Sequence, residues 1–253
     1  HAHYCEHMLF LGSGRYPGES EFEEFLSENG GYSNAFTECE YTCFYFEVNR
    51  RALHKALDMF AQLFHDPLFT PDSSSRELQA IESEFQKKRN SDGVRTETLF
   101  ASFAKPDHPW TLFGWGNLQS LEVEPAQKGV SLHDELRKFF REHYKPNRLR
   151  LCVFGIEGLD SLQEAVHKSF SVIVPSDNPS QLDFAACGLP LVPEQLPRLV
   201  RVRPIKDTHQ LSLTWQLPSQ LRHYRSKPEQ YLSSLIGDEG HGSILSSLKD
   251  EGL

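Results

Sequence analysis

His3, Glu6 and His7 are the residues in this chain whose types and spacing most directly suggest chemistry. Two histidines four apart stand one turn from each other on one face of a helix. Both imidazoles can therefore hold a single zinc ion. Glu6 sits one residue from the second histidine, close enough to reach a zinc-bound water without binding the metal itself, which is the position of a general base. The order His-x-x-Glu-His reverses the more common His-Glu-x-x-His arrangement. The chemistry implied is metal-assisted hydrolysis. A catalytic zinc usually has three protein ligands and one open position, so a third ligand is needed, preferably a carboxylate. Glu77 and Glu84 are seven residues apart and share a helix face, with Glu82 displaced from it.

The elements that must position these residues can be read from hydrophobic spacing and turn signals. Residues 3–11 read as an apolar helix ended near Gly12 and Gly14. Residues 19–29 read as a second helix, with Phe22, Phe25 and Leu26 at helical spacing and Gly30-Gly31 as its stop. Ser33, Asn34 and Ala35, with Phe36 beside them, read as an edge strand near the metal, to which a peptide could add through main-chain hydrogen bonds. Residues 41–48 alternate as a strand, so a hairpin or an edge is expected. Helices are expected at 51–65, from about 72 to 88 with Asp72 and Ser73 to Ser75 as caps, and at 96–104, 131–144, 159–171, 228–235 and 243–248. Strands are expected at 149–154, 199–205 and 210–216. A weak repeat relates residues 231–252 to residues 4–30: short helix, glycine loop, second helix, glycine stop. The zinc residues have no counterpart in the second copy.

His3 to Phe10, the block Gly30-Gly31-Tyr32-Ser33-Asn34-Ala35-Phe36-Thr37, and residues 76–84 together resemble the pitrilysin/insulysin/nardilysin family of zinc peptidases, the inverzincins. The likeness extends over nearly the whole chain, including residues 223–228 and 237–245. Residues 105–109, 114–117 and 213–218 resemble the nardilysin branch, whereas Cys5 and residues 34–37 look as much like insulysin. The resemblance implies one zinc per chain, with Glu84 as the third ligand beside His3 and His7. Glu77 is then the supporting carboxylate and Glu6 the base, and residues 33–36 are the substrate strand. It also implies an α+β fold: an antiparallel sheet packed by helices on one side, in a duplicated unit whose second copy is incomplete here. Family members are several times this length, and part of their substrate-binding machinery lies in a C-terminal half absent from this chain. The fragment alone is therefore expected to bind zinc and to have little or no peptidase activity. The rival readings are a non-catalytic family homologue serving as a peptide-binding or scaffold subunit, and a structural zinc module. Glu6 and Glu84 argue against the first, since a scaffold needs no general base. The second usually has four closed ligands.

The proline-rich stretch divides the 253 residues into a catalytic zinc-peptidase domain at 1–176 lacking its N-terminal part, a linker at 177–197, and the start of a second homologous domain at 198–253. The formal charge of −9 argues against nucleic acid as a partner. It suits basic peptide substrates, although solubility is the plainer reading. No apolar run is long enough to span a membrane. Homo-oligomerisation is left open. The five cysteines are irregularly spaced, with Cys39 and Cys43 expected on one strand face, and read as reduced thiols of an intracellular, cytosolic protein. Cys5 points off the histidine face and reads as a buried or oxidation-sensitive thiol. Gly237, Gly240 and Gly242 do not make a phosphate loop, because Asp238 and Glu239 would repel the anion.

Overall fold

The structure, a computed structural model, describes residues 1–175 and 184–253. It divides into two compact units, His1–Thr208 and His209–Leu253.

In the first unit, α1 (Ala2–Leu9) is a short helix with Tyr4, Cys5, Met8 and Leu9 fully buried. A helix this short is marginal by itself and depends on packing. The chain leaves it through Gly12 (φ +89°), where a Cβ would press on the carbonyl of Pro17. Next comes α2 (Glu21–Glu28), which buries Phe22 and Leu26. Gly30 then takes a left-handed conformation, and Gly31 passes so close to the backbone of Glu47 that no side chain fits. The glycine pair thus ends the helix and lets the next strand start against its partner.

That strand is β1 (Tyr32–Thr37), paired antiparallel with β2 (Thr42–Glu47) in the register Tyr32↔Glu47 to Thr37↔Thr42. Cys39 lies in the connecting turn and Cys43 on β2, so they do not share a strand face as expected; both are free thiols. A two-stranded hairpin is barely stable unless one face is covered. Here Phe44 packs on Phe64 (5.2 Å between ring centroids) and Phe46 on Phe60 (5.0 Å), both from α3 (Leu53–His65). Phe60 also meets Phe22 and Phe64. Full burial of such a side chain contributes about 1.5–3 kcal/mol. The helix expected at 51–65 is therefore present, and its apolar face joins α2 to the sheet.

The long helix is α4 (Pro71–Lys88). Its cap is Thr70, whose side chain accepts from Ser73 N–H (3.2 Å), with Pro71 opening the first turn. Asp72 and the serines expected to cap it lie inside the helix. After α5 (Asp92–Ala101) a π-helical turn at Gln119–Val123, unanticipated from the sequence, leads into α6 (Glu124–Gln127), then α7 (Leu132–His143) and α8 (Leu159–Phe170). α8 lays Leu162 and Ala165 on Leu53 and Leu57.

The strands expected at 149–154 and 199–205 are absent, as is the one at 210–216 in the second unit; β1 and β2 form the single sheet among the described residues. Alternation supplies one suitable face, but a strand also needs a neighbour's N–H and C=O groups. At 149–154 the alternation has a visible result: Val153 packs on the Leu53 cluster while Phe154 is 98% exposed. Part of the expected linker at 177–197 falls outside the described residues. The described portion lies against the chain before it, with Lys105 N–H donating to Pro190 O (2.8 Å).

In the second unit, α9 (Pro228–Ile236) and α10 (Ile244–Asp250) stand where helices were expected. Between them, Asp238 Oδ1 accepts from Gly240 N–H (2.8 Å), an Asp turn that engages one of the N–H groups a phosphate loop would use. No helix is long and apolar enough to cross a membrane among the described residues.

Residues 205–206 are fastened to α5 by one carboxylate. Asp92 accepts from Ile205 N–H (2.9 Å), Lys206 N–H (3.0 Å) and Arg95 (2.8 Å). The backbone donors, with Arg95 behind them, hold its carboxyl below the ordinary value. A depressed carboxyl contributes stability above its unfolded pKa of about 3.9 and loses it as pH falls through the folded value. Amide protection factors at Ile205 and Lys206 are expected to hold at neutral pH and to fall below about pH 4. In Asp92→Ala they should be low at every pH, and equal protection in the variant would refute the fastening.

Candidate metal centre

Three side chains of α1 and two of α4 meet across the contact between these helices. α1 is buried against α4, and Tyr4 O–H donates to Ser74 O (2.8 Å), which joins them one turn from Glu77. The spacing of four in α1 then turns His3 and His7 toward α4. The spacing of seven in α4 turns Glu77 and Glu84 back toward them.

The histidine Nε2 atoms are 3.2 Å apart, and Glu84 Oε2 lies 3.5 Å from His3 Nε2 and 3.8 Å from His7 Nε2. The donor atoms of His3, His7 and Glu84 all fall within 4.8 Å of one another. In a tetrahedral zinc centre with ligand distances of about 2.0–2.1 Å, donor atoms stand about 3.3–3.4 Å apart. This triangle is close to that size.

The outer nitrogens decide what the inner ones can do. His3 Nδ1 lies 2.6 Å from Trp115 O, and His7 Nδ1 lies 2.7 Å from Glu77 Oε1. Both partners are acceptors, so both Nδ1 atoms carry a proton. In the neutral rings the Nε2 lone pairs then face each other and the Glu84 carboxylate. This arrangement is repulsive unless a proton or a metal cation lies between them, and the donor set suits zinc. Burial opposes a charge on His7, but its hydrogen bond to Glu77 and the nearby carboxylates of Glu77, Glu6 and Glu84 prevail and raise its pKa. Glu82 turns elsewhere, accepting from Leu118 N–H (2.8 Å) and from Gln86 (2.5 Å).

Glu6 is only 7% exposed, and its Oε2 accepts from the Thr37 hydroxyl. Cys5 faces away into the core, where burial pushes its thiol up to about 12, so it is a buried group and not an oxidation-prone one. The nine residues singled out from the sequence (His3, Glu6, His7, Ser33, Asn34, Ala35, Phe36, Glu77 and Glu84) line a single cavity of about 940 Å³. β1 forms one wall, and the outer edge of β1 has no strand neighbour among the described residues. Ser33 donates to Glu23, and Asn34 Oδ1 accepts from Ala35 N–H (2.8 Å). Residues 110–115 also line it. Glu23, Glu38 and Glu97 also line the cavity, and no Lys or Arg does. It is therefore an electronegative cleft able to concentrate cationic groups.

Sequence reasoning missed Trp115 and Thr37. Trp115 contributes a backbone carbonyl 112 positions from His3, which no residue-type pattern can signal. Thr37 ended the quoted Gly-Gly block and closes β1, so its place near the site was legible although its partner was not.

A family model described as Insulinase (Peptidase family M16) matches residues 1–107, and one described as Peptidase M16 inactive domain matches residues 131–253. Nardilysin of Rattus norvegicus is 43% identical over 248 residues, covering 98% of this chain and 21% of that protein. Insulin-degrading enzyme of Homo sapiens is 43% identical over 251 residues, covering 99% of this chain and 24% of that protein. The chain thus spans about a fifth to a quarter of the length of these curated relatives. A crystal structure of pitrilysin matches with a TM-score of 0.74 at 26% identity, over 99% of this chain and 26% of that one.

The contact between Glu77 and His7 gives a direct expectation. In Glu77→Ala the His7 ring loses the acceptor that fixes its orientation. Zinc affinity, measured by competition with a chromophoric chelator, should fall about 10- to 100-fold; unchanged affinity would show that Glu77 does not orient the ligand.

Proposed function

This chain belongs to the pitrilysin/insulysin/nardilysin family, peptidase family M16, and on that premise we propose that it carries the zinc-binding half of a metalloendopeptidase active site. The observation that carries the proposal is the triangle of His3 Nε2, His7 Nε2 and Glu84 Oε2, with both outer histidine nitrogens bonded to acceptors. In this reading the three residues hold one zinc ion, and Glu77 orients His7. Bound zinc supplies polarisation of the scissile carbonyl and lowers the pKa of a bound water to about 7.

The chain's own residues do the rest. Glu6 takes a proton from the attacking water and returns it to the leaving amine nitrogen. Residues 33–36 receive the peptide along the outer edge of β1, through main-chain hydrogen bonds that select weakly by sequence. The carboxylates of Glu23, Glu38 and Glu97 favour basic side chains in the same cleft. A non-catalytic role is less well supported, because a scaffold has no need of a carboxylate buried beside two metal-capable histidines.

The proposed catalytic domain covers residues 1–176. Residues 198–253 begin a second, homologous domain. The order of α9, the glycine loop, α10 and Gly252 parallels α1 to Gly30 and supports that reading. The proposed compartment is the cytosol. Because the chain spans a fifth to a quarter of its relatives, the fragment alone should bind zinc and cleave peptides poorly.

The test uses the full-length protein. Glu6→Gln should keep its zinc, measured by elemental analysis, and lose about 10²- to 10⁴-fold in kcat. Glu84→Ala should lose zinc affinity. Normal cleavage by Glu6→Gln would remove the assigned mechanism, and full affinity in Glu84→Ala would remove the ligand set.

A further inference from the structure

Glu6 is held by a group that the mechanism above does not use. The Thr37 hydroxyl, at the end of β1, donates to Glu6 Oε2. Thr37 Oγ1 is also 3.0 Å from Thr42 Oγ1, its register partner across the hairpin. Side chains from α1, β1 and β2 therefore form one unbroken chain beside the proposed metal centre.

The direction of that chain follows from counting hydrogens. A hydroxyl has one to give, and a carboxylate has none. The Thr37 hydrogen is committed to Glu6, so Thr37 must accept from Thr42. Both hydrogens point toward Glu6, and the donation from Thr42 polarises Thr37 and strengthens its bond to the carboxylate. Among the described residues, Glu6 Oε1 carries no hydrogen bond.

We infer that this one-way relay makes Thr37 the positioning residue for Glu6, fixing Oε2 so that Oε1 is the atom that takes up and returns the proton. The inference rests on the reading of Glu6 as general base. The relay also gives the hairpin a part in the site beyond its outer edge, because Thr37 and Thr42 tie the carboxylate on α1 to both strands.

The test again uses the full-length, zinc-loaded protein, with kcat and KM measured on a fluorogenic peptide. Thr37→Val keeps the side chain's shape and removes its hydrogen. It should lower kcat about 10- to 100-fold, with KM within about twofold of wild type and zinc content unchanged. Thr37→Ser restores the donor and should recover most of the rate. In a Glu6→Gln background, Thr37→Val should cost nothing further, because it acts through Glu6 alone. A readout apart from activity is the crystal structure of Thr37→Val: Glu6 should spread over more than one rotamer while His3, His7 and Glu84 stay in place. If Thr37→Val does not fold, Thr42→Val removes the donor behind Thr37 and should lower kcat about 2- to 10-fold. Wild-type kcat in whichever of these variants folds overturns the inference, as does failure of Thr37→Ser to restore the rate. A Glu6→Gln protein that cleaves normally removes the base assignment and this inference together. An inactive Glu6→Gln beside a fully active Thr37→Val removes only the positioning role.

Discussion

Two imidazole nitrogens with their lone pairs turned toward each other, 3.2 Å apart and next to a carboxylate, are the constraint that the rest of this fold has to satisfy. With both rings neutral, nothing within that triangle of acceptors holds it together. It persists because the outer nitrogen of each ring is tied down, one to the Trp115 carbonyl and the other to Glu77. The geometry is imposed from outside, and a bound cation would relieve the repulsion that remains.

That outside support explains why an eight-residue helix is buried so thoroughly. α1 lacks a side-chain cap and is too short to be stable alone. Tyr4, Met8 and Leu9 anchor it in the core on one side while His3, Glu6 and His7 face the cavity on the other. The aromatic stack of Phe22, Phe46, Phe60 and Phe64 fixes the hairpin over α3, which in turn fixes Thr37 next to Glu6. Packing energy and site geometry thus come from the same contacts, so losses in the core should be felt at the cleft.

Much of this was legible because helical periodicity converts directly into shared faces. The spacing of four placed His3 with His7, and the spacing of seven placed Glu77 with Glu84. The glycine pair announced both the end of α2 and the start of β1. What remained hidden depends on contacts distant in sequence or on backbone atoms. The Trp115 carbonyl is one case, and the relay from Thr42 through Thr37 to Glu6 is another. The strands expected at 149–154, 199–205 and 210–216 failed for a different reason: alternation reports a face that could be buried, but it carries no information about whether a hydrogen-bonding neighbour is present. The cap of α4 was misplaced by two residues because Thr70, Asp72 and the serines are all good caps, and only the backbone bend before Pro71 distinguishes them.

The bond from Ala35 N–H to Asn34 Oδ1 changes how the outer edge of β1 behaves. An open strand edge is a template for any extended chain, including another copy of the same protein. Here one of the donors is already engaged by the neighbouring amide side chain. A chain that adds at this position must displace Asn34, whose swing replaces one hydrogen bond with another at little net cost. A loosely matched edge that cannot bring up a carbonyl at Ala35 leaves the amide in place. The asparagine thereby acts as a latch that resists indiscriminate sheet growth and yields to a strand that fits.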